Sequence, residues 1–121
     1  YHKSSVVHNF IKKIILKKSI EIHSNGFQKR DFIYVEEVCE ALINELDKKF
    51  KSTELKINTN KFLSILTLKS CLDEISKKNN NFKHIKTPDG YDDRIYKKPS
   101  FKVQKKLMKN LELTYSWYKS L

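Results

Sequence analysis

Hydrophobic and polar positions follow two periods along the chain, one typical of helices and one typical of strands. Residues 4–18 carry the first helical pattern, with apolar side chains at helical spacing and Ser4 or Ser5 available as the N-cap. The polar face and the last turn carry lysines, where cations are favourable for the helix dipole. These are Lys12, Lys13, Lys17 and Lys18. The pattern favours a solvated lysine face over a stripe that binds nucleic acid.

The next stretch predicts two short strands and a helix. Residues 19–24 alternate polar and apolar side chains, Asn25-Gly26 is a turn signal, and the apolar and aromatic residues at 32–35 predict a second strand. Glu36 and Glu37 then begin a helix that reaches about Phe50. Its apolar residues are expected to point inward: Val35, Val38, Cys39, Leu42, Leu46 and Phe50.

The second half repeats this alternation. The pattern predicts strands at 54–58 and 82–86, and between them a helix that Ser64 caps and that ends near Lys77. A turn follows at 87–90, and Pro99-Ser100 begin a short helix with Val103, Leu107 and Met108. The aromatic tail, with Tyr115, Trp117 and Tyr118, is expected to pack. The order indicates an α/β fold with short strands and about four helices, and the strands are few for an independent sheet.

Composition adds a charge and two unusual residues. The chain has 121 residues, enough for one small domain, and a net charge of +11. Nucleic acid, an anionic membrane or a phosphorylated ligand would suit that charge. Of the 25 basic residues only Arg30 and Arg94 are arginine. A guanidinium binds phosphate or carboxylate through two parallel hydrogen bonds, which an ammonium cannot do, so these two positions are candidate ligands for such a group.

Other side chains give no sign of a metal site or a nucleophile. Cys39 and Cys71 have no metal-ligand spacing, and we expect both to be buried free thiols in a reducing cytoplasm. His2, His8, His23 and His84 also lack ligand spacing, and the acidic pairs form no acid/base dyad. The apolar runs are too short to span a bilayer, so no membrane is expected as a partner.

A family resemblance rests on a continuous segment. Ser4-Ser5-Val6-Val7, Ser19-Ile20-Glu21-Ile22 and the run from Asn25 through Gln28-Lys29-Arg30-Asp31-Phe32-Ile33-Tyr34-Val35 resemble the extended short-chain dehydrogenase/reductases. The similar group is the NAD-dependent epimerase/dehydratase family that acts on nucleotide sugars in carbohydrate biosynthesis. Looser similarity continues through Asn58, Ser64 and Asp92-Asp93-Arg94 to the C-terminal helix. The resemblance implies the C-terminal substrate-binding portion, residues 1–121, of an extended Rossmann-type fold.

The same resemblance implies roles for individual residues. Arg30 and Arg94 match the two family arginines that bind the substrate diphosphate. Phe32 matches an aromatic or apolar residue near the nucleotide, and Glu21 and His23 stand where the family strand lies beside the base or ribose. The chain departs from the pattern at Thr59-Asn60-Lys61, in place of a glycine-rich loop, and at Lys98, in place of an aspartate.

The family's catalytic half has no counterpart in these residues. Neither G-x-x-G-x-x-G, which would seat NAD or NADP, nor the Tyr-x-x-x-Lys acid/base pair occurs. The cofactor is therefore expected on an N-terminal half that is absent from this chain, and the chain alone is expected to be inactive. Expected partners are a nucleotide sugar, that missing half and, in the complete enzyme, a second copy forming a homodimer. The expected location is the cytoplasm.

Alternative interpretations remain for the chain and for single residues. The chain could be a basic nucleic-acid-binding module, whose affinity would fall steeply with salt, or a non-catalytic degenerate paralogue. Arg30 could form a structural ion pair with Asp31, and Arg94 could do so with its neighbouring aspartates. The tail aromatics could stack on a base, although packing is the favoured interpretation.

Overall fold

The computed structural model describes residues 5–46, 54–87, 97, 100 and 102–121. Within these ranges lie four helices and four short strands, as the α/β prediction expects. The elements in chain order are α1 (Val6–Ile15), β1 (Ile20–His23), β2 (Lys29–Asp31), α2 (Val35–Leu46), β3 (Phe62–Ser64), α3 (Ile65–Ser76), β4 (Phe82–Ile85) and α4 (Lys105–Ser120).

The described strands form two separate pairs. Strand β1 runs parallel to β4, with Ile20 opposite Phe82 and His23 opposite Ile85. Strand β2 runs antiparallel to β3, with Arg30 opposite Leu63. The strand after the Asn25-Gly26 turn therefore pairs with a distant segment and not with β1. Parallel strands need a long connection, and the chain between β1 and β4 provides it.

Two of the predicted strands are misplaced. The predicted strand at 32–35 is wrong, because the ladder ends at Asp31 and residue 35 already belongs to α2. The predicted strand at 54–58 is also wrong, since those residues are irregular and β3 begins at Phe62. Both true strands have three residues. In three residues the alternation of polar and apolar side chains carries little information. The backbone pairing between β2 and β3 determines where the two strands lie in the sequence.

The hydrophobic core lies where α1, α3 and α4 pack together beside β1. Ile11, Ile20, Ile22, Leu68 and Leu72 are completely buried. Their spacing explains the elements: Ile20 and Ile22 share the inner face of β1, and Leu68 and Leu72 stand one turn apart on α3. The predicted amphipathic character of α1 is confirmed, with Phe10, Ile11 and Ile14 on its buried face.

Helix α3 begins and ends as its sequence predicts. The Ser64 hydroxyl accepts a hydrogen bond from the backbone N–H of Thr67 at 3.0 Å, which confirms it as the N-cap. Lys77 ends the helix in the left-handed region, with φ of 53°. Lys69 on this helix is buried, and its Nζ lies 2.5 Å from a carboxylate oxygen of Asp73. Asp73 in turn accepts hydrogen bonds from the backbone and side chain of Asn80, which fixes the connection to β4.

Helix α2 packs only in part as predicted: Val38 is half-buried, and Phe50 lies outside the described residues. Its described residues include none that is buried, and the side chains of Val35, Leu42 and Leu46 are 65%, 50% and 71% exposed. Cys39 is exposed as well, so its predicted burial is wrong, whereas Cys71 is buried as expected. The helical period identified an apolar face of α2 correctly but could not specify the direction in which that face points.

Helix α4 is longer than predicted and includes the aromatic tail. It extends from Lys105 to Ser120, so Val103 precedes it and the tail is its second half. Leu111 is buried at its centre, and the Tyr118 hydroxyl lies 2.9 Å from Nδ1 of His8 on α1. The prediction that the tail packs holds for Tyr115 and Tyr118, which contact the core, while Trp117 is 57% exposed.

Candidate functional site

The segment from Gly26 to Asp31 is fixed to the beginning of α3. Gly26 is buried with φ of +74°, a conformation that side chains disfavour. A Cβ at this position would lie 2.8 Å from Cγ2 of Ile22. The carbonyl of Gly26 accepts a hydrogen bond from the backbone N–H of Leu66, and that of Gln28 accepts one from Ile65. Glycine is therefore required here by both space and conformation.

Gln28 connects this segment to the end of β1. Its side chain is buried, and its Nε2 donates a hydrogen bond to the carbonyl of His23 at 3.2 Å. The backbone N–H of Gly26 donates to the same carbonyl. A buried amide with a partner is stabilising, because an unpaired one would lose its hydration without compensation. The backbone before Arg30 is thus held on both sides.

Asp31 holds the loop at residues 59–61, the segment where the sequence pattern of the similar family has a glycine-rich loop. Its carboxylate accepts hydrogen bonds from the backbone N–H groups of Thr59, at 2.8 Å, and Asn60, at 3.1 Å, and from the Thr59 hydroxyl. Asn60 has φ of 55°, a left-handed conformation that Asn tolerates better than most residues. Burial tends to raise the pKa of Asp31, but these hydrogen bonds outweigh it and lower the pKa below its ordinary value.

Arg30 lies between these two anchors on β2 and is half-buried. Its Nη1 donates a hydrogen bond to the carbonyl of Lys29 at 2.8 Å. Both carboxylate oxygens of its neighbour Asp31 are engaged by residues 59 and 60, so Asp31 has a structural role independent of any pairing with Arg30. The position of Arg30 on β2 is therefore defined by the anchored backbone before and after it.

Phe32 lines two clefts that open beside α4. The larger has a volume of about 510 Å³ and a mainly apolar wall, to which Val7, Tyr34, Leu107 and Trp117 contribute. Such a volume falls within the range of small-molecule sites. Phe32 is also packed against the core, which fixes the position of its ring.

The smaller cleft, of about 320 Å³, has more polar groups. Lys106 donates to the carboxylate of Glu37, and this hydrogen bond lowers the pKa of Glu37 and raises that of Lys106. Asn110 also donates to Glu37, at 3.3 Å. Lys61, which also lines this cleft, donates to Oε1 of Gln104 at 2.9 Å. These contacts connect the loop after Asn58 and the beginning of α2 to α4.

The other predicted site residues lie elsewhere. Glu21 and His23 alternate with the buried residues of β1, as predicted, and neither lines the two clefts described. Glu21 forms ion pairs with Lys13 at 2.8 Å and Lys83 at 3.1 Å, and the hydrogen bond from Lys13 is the main cause of its lowered pKa. Arg94 and Lys98 lie outside the described residues.

Several residues of the site were not identified from the sequence. Asp31 and Thr59 act across a long sequence separation, and no local pattern indicates such a pair. The α4 side of the clefts does have a signal, because Leu107, Leu111 and Tyr118 recur at helical spacing and extend the helix through the tail.

A comparison with protein families identifies the first half of the chain. Residues 1–58 match the sequence model of the NAD dependent epimerase/dehydratase family. Residues 1–58 therefore carry the sequence pattern of this family. The matched residues include β1, β2 and the Gln28–Val35 segment that carries the resemblance. No curated protein sequence matches the chain.

Solved structures of UDP-sugar 4-epimerases extend the likeness to nearly the whole chain. UDP-N-acetylglucosamine 4-epimerase from Methanobrevibacter ruminantium, in complex with UDP-N-acetylmuramic acid, has a TM-score of 0.84 and 22% identity over 99% of this chain and 41% of its own. UDP-glucuronic acid 4-epimerase from Bacillus cereus, in complex with UDP-glucuronic acid and NAD, has a TM-score of 0.79 and 25% identity over 97% and 40%. UDP-glucose 4-epimerase from Thermotoga maritima, with UDP-glucose, has a TM-score of 0.80 and 20% identity over 99% and 41%.

The chain therefore has the fold of a part of these epimerases and spans about 40% of their length. Among the described residues, no group of three or more His, Cys, Asp or Glu side chains is arranged to bind a metal ion. None of the helices in the described ranges is long and apolar enough to cross a membrane.

Proposed function

We propose that this chain is the nucleotide-sugar-binding portion of an NAD-dependent epimerase/dehydratase, with Arg30 as a ligand of the substrate diphosphate. The observation that carries the proposal is the position of Arg30. It lies on a short strand fixed by Gln28 on one side and Asp31 on the other, two residues from the wall of an apolar cleft.

A fixed backbone matters for phosphate binding. An anchored strand has little backbone freedom left to lose when Arg30 binds, and the two parallel N–H groups of its guanidinium match two phosphate oxygens. The nearby cleft, with Phe32 in its wall, would accept the less polar part of the ligand. The neighbours from Bacillus cereus and Thermotoga maritima hold UDP-glucuronic acid and UDP-glucose, which makes a UDP-sugar the first ligand to test.

The remaining roles follow from the family. Arg94 would provide the second diphosphate contact, and Glu21 and His23 would face the base or ribose. The NAD cofactor and the acid/base pair for hydride transfer would come from a portion that corresponds to the rest of the neighbours' length. In that arrangement this chain binds and orients the sugar nucleotide, and the other portion carries out the chemistry.

Isothermal titration calorimetry with UDP-glucuronic acid tests the role of Arg30. Charge-assisted hydrogen bonds contribute about 1.5–3 kcal/mol, so Arg30→Ala should weaken binding by roughly 10-fold to 100-fold. Arg30→Lys should recover little of it, because an ammonium cannot make the bidentate contact. Lys29→Ala, which removes the neighbouring exposed cation, is the matched control and should bind almost as tightly as the wild type.

Repeating the titrations at two salt concentrations separates this function from nucleic-acid binding. A specific sugar-nucleotide site should keep most of its Arg30 dependence at higher salt. Tight binding of an oligonucleotide with a steep salt dependence, equally weakened by Lys29→Ala and Arg30→Ala, would indicate a general basic surface instead. Absence of UDP-sugar binding, with NAD and the other portion of the enzyme present, would contradict the proposal.

A further inference from the structure

Two hydrogen bonds from strand β4 hold the turn that follows β1. The backbone N–H of Ser24 donates to the carbonyl of Ile85 at 3.0 Å, and Nδ1 of His84 lies 2.6 Å from the carbonyl oxygen of Ser24. The His84 side chain is itself exposed. Both polar groups of the Ser24 backbone are therefore bonded to two successive residues of the parallel partner strand.

Ser24 needs such contacts because its backbone is strained. Its φ is 52°, in the left-handed region, which is unfavourable for a residue with a Cβ unless the surrounding structure imposes it. In a free chain the serine would return to negative φ, and the chain would leave β1 in another direction. The two hydrogen bonds from β4 oppose that change.

The ring of His84 is held by its neighbour on the same face of β4. Phe82 packs edge-on against it, with ring centroids 5.4 Å apart and an interplanar angle of 85°. The Nζ of the buried Lys69 lies over the Phe82 ring, 4.7 Å from its centroid. This packing restricts the orientation of the imidazole and keeps Nδ1 directed at Ser24.

The contact also determines which nitrogen of His84 carries a proton. A carbonyl oxygen only accepts hydrogen bonds, so Nδ1 must be the donor to Ser24. In the neutral ring Nε2 is then unprotonated. This is a defined state of the side chain, and another residue with a donor at the position of Nδ1 should be able to replace it.

The strained turn leads directly to the proposed phosphate ligand. The carbonyl of His23, just before Ser24, accepts hydrogen bonds from the N–H of Gly26 and from Nε2 of Gln28. Arg30 follows two residues later on β2. A change of direction at Ser24 would therefore move this segment relative to β1 and displace the guanidinium.

We propose that His84 is a positioning residue of the sugar-nucleotide site, because its hydrogen bond to Ser24 holds the turn in the conformation that places Arg30 at the substrate diphosphate. The proposal rests on the proposed function. His84 acts without touching the ligand. It lies on the same face of the strand pair as Ile22, its register partner, whereas Glu21 lies on the other face.

Two variants of equal shape separate the hydrogen bond from the bulk of the side chain. Leu and Asn both branch at Cγ, but only Asn has an N–H donor, and its amide nitrogen takes the place of Nδ1. The full chain is titrated with UDP-glucuronic acid under the conditions used for Arg30→Ala. His84→Leu should weaken binding by roughly 3-fold to 10-fold, and His84→Asn should stay within about 2-fold of the wild type. Equal affinities of the two variants would overturn the proposal.

A double-mutant cycle distinguishes positioning from a general effect on the fold. If His84 acts through Arg30, His84→Leu should weaken binding further by less than about 2-fold in a chain that already carries Arg30→Ala. Additive losses would reject the positioning role. Should His84→Leu fail to fold, weak binding by a folded His84→Asn variant overturns the proposal by itself.

The protonated nitrogen gives a spectroscopic test that does not depend on affinity. Nitrogen NMR spectra of the isotope-labelled chain resolve the two ring nitrogens of each histidine, and the His84 signals are those missing from His84→Asn. The neutral ring should show a protonated Nδ1 and an unprotonated Nε2. A proton on Nε2 in place of Nδ1 would rule out the hydrogen bond to Ser24 and, with it, the proposal.

Failure of this proposal is distinguishable from failure of the proposed function. Absence of UDP-glucuronic acid binding by the wild-type chain, with NAD and the other portion of the enzyme present, would reject both. Binding that depends on Arg30 but is unchanged in His84→Leu would reject only the positioning role and retain the sugar-nucleotide site.

Discussion

The carboxylate of Asp31 lies 2.8 Å from the backbone nitrogen of Thr59 and joins strand β2 to a loop far along the chain. It also accepts hydrogen bonds from the Thr59 hydroxyl and from the backbone of Asn60. These three hydrogen bonds to one carboxylate hold residues 59 and 60 against β2. The position of Arg30, its direct neighbour, depends on this contact.

Replacing Asp31 by Ala should destabilise the protein by about 1–2 kcal/mol, since hydrogen bonds to a charged group are lost at a half-exposed site. Thr59→Val should cost about 0.5–1.5 kcal/mol, because only the hydroxyl donor is removed. Urea denaturation of both single variants and of the double variant gives the coupling between them. A coupling below about 0.5 kcal/mol would mean that the two side chains act independently.

The lowered pKa of Asp31 predicts an acid-dependent loss of stability. A carboxyl whose pKa is lower in the folded state contributes stability that is complete above its unfolded pKa, about 3.9, and is lost as the pH falls through the folded value. The free energy of unfolding, measured from pH 6 to pH 2, should therefore fall more for the wild type than for Asp31→Asn. Parallel curves would contradict the contribution of Asp31. Comparing the two curves cancels the effect of Glu21 and Glu37, the other carboxyls whose pKa is lowered.

Gly26→Ala should destabilise the fold by about 1–3 kcal/mol. The new Cβ would be too close to Ile22, and an alanine at φ of +74° is strained. Ser24→Gly is the control in the same turn, because Ser24 also has positive φ, at 52°, and should tolerate glycine without loss. Thermal unfolding of both variants tests the pair. Equal melting temperatures for Gly26→Ala and the wild type would show that the turn can rearrange.

The buried ion pair on α3 predicts an asymmetric response to mutation. Asp73→Ala leaves the Lys69 ammonium buried without its carboxylate and should cost about 3–5 kcal/mol. Lys69→Met retains most of the apolar volume and leaves Asp73 bonded to Asn80, so it should cost clearly less. Chemical denaturation measures both. A larger loss of unfolding free energy for Lys69→Met than for Asp73→Ala would contradict the prediction that the unpaired Lys69 ammonium is the more costly of the two.

The two thiols should differ sharply in reactivity. Burial raises the pKa of Cys71 to about 11, so little thiolate forms at pH 8, and the side chain is inaccessible. Cys39 is exposed. Titration of the native protein with a disulfide reagent at pH 8 should therefore detect one rapidly reacting thiol, and two after unfolding in urea. Two fast thiols in the native state would contradict the burial of Cys71.

The elements that local chemistry defines were predictable from the sequence. The Ser64 cap, the alternation of Ile20 and Ile22 in β1 and the apolar face of α1 all act over a few residues, and the structure confirms each. The Asn25-Gly26 pair likewise marks a turn with Gly26 in a positive-φ conformation. Family resemblance added the fold of the whole chain, which no single element specifies.

The errors concern relationships between distant parts. β2 and β3 are set by pairing with each other, so alternation within three residues could not locate them. The inward direction predicted for Val35, Cys39, Leu42 and Leu46 was wrong, and it is Glu37 on another side of α2 that bonds to Lys106 and Asn110. Both contacts join residues far apart in sequence, and periodicity carries no information about them.

The parallel pairing of β1 with β4 also determines when this protein can fold. During synthesis the partner of β1 follows only after α2 and α3 have been made. Until then the backbone of β1, with the apolar Ile20 and Ile22, has none of the other described strands beside it. The β1–β4 pair can therefore form only after residue 85 has been synthesised, and a chain that stops before residue 82 would expose an edge that favours aggregation.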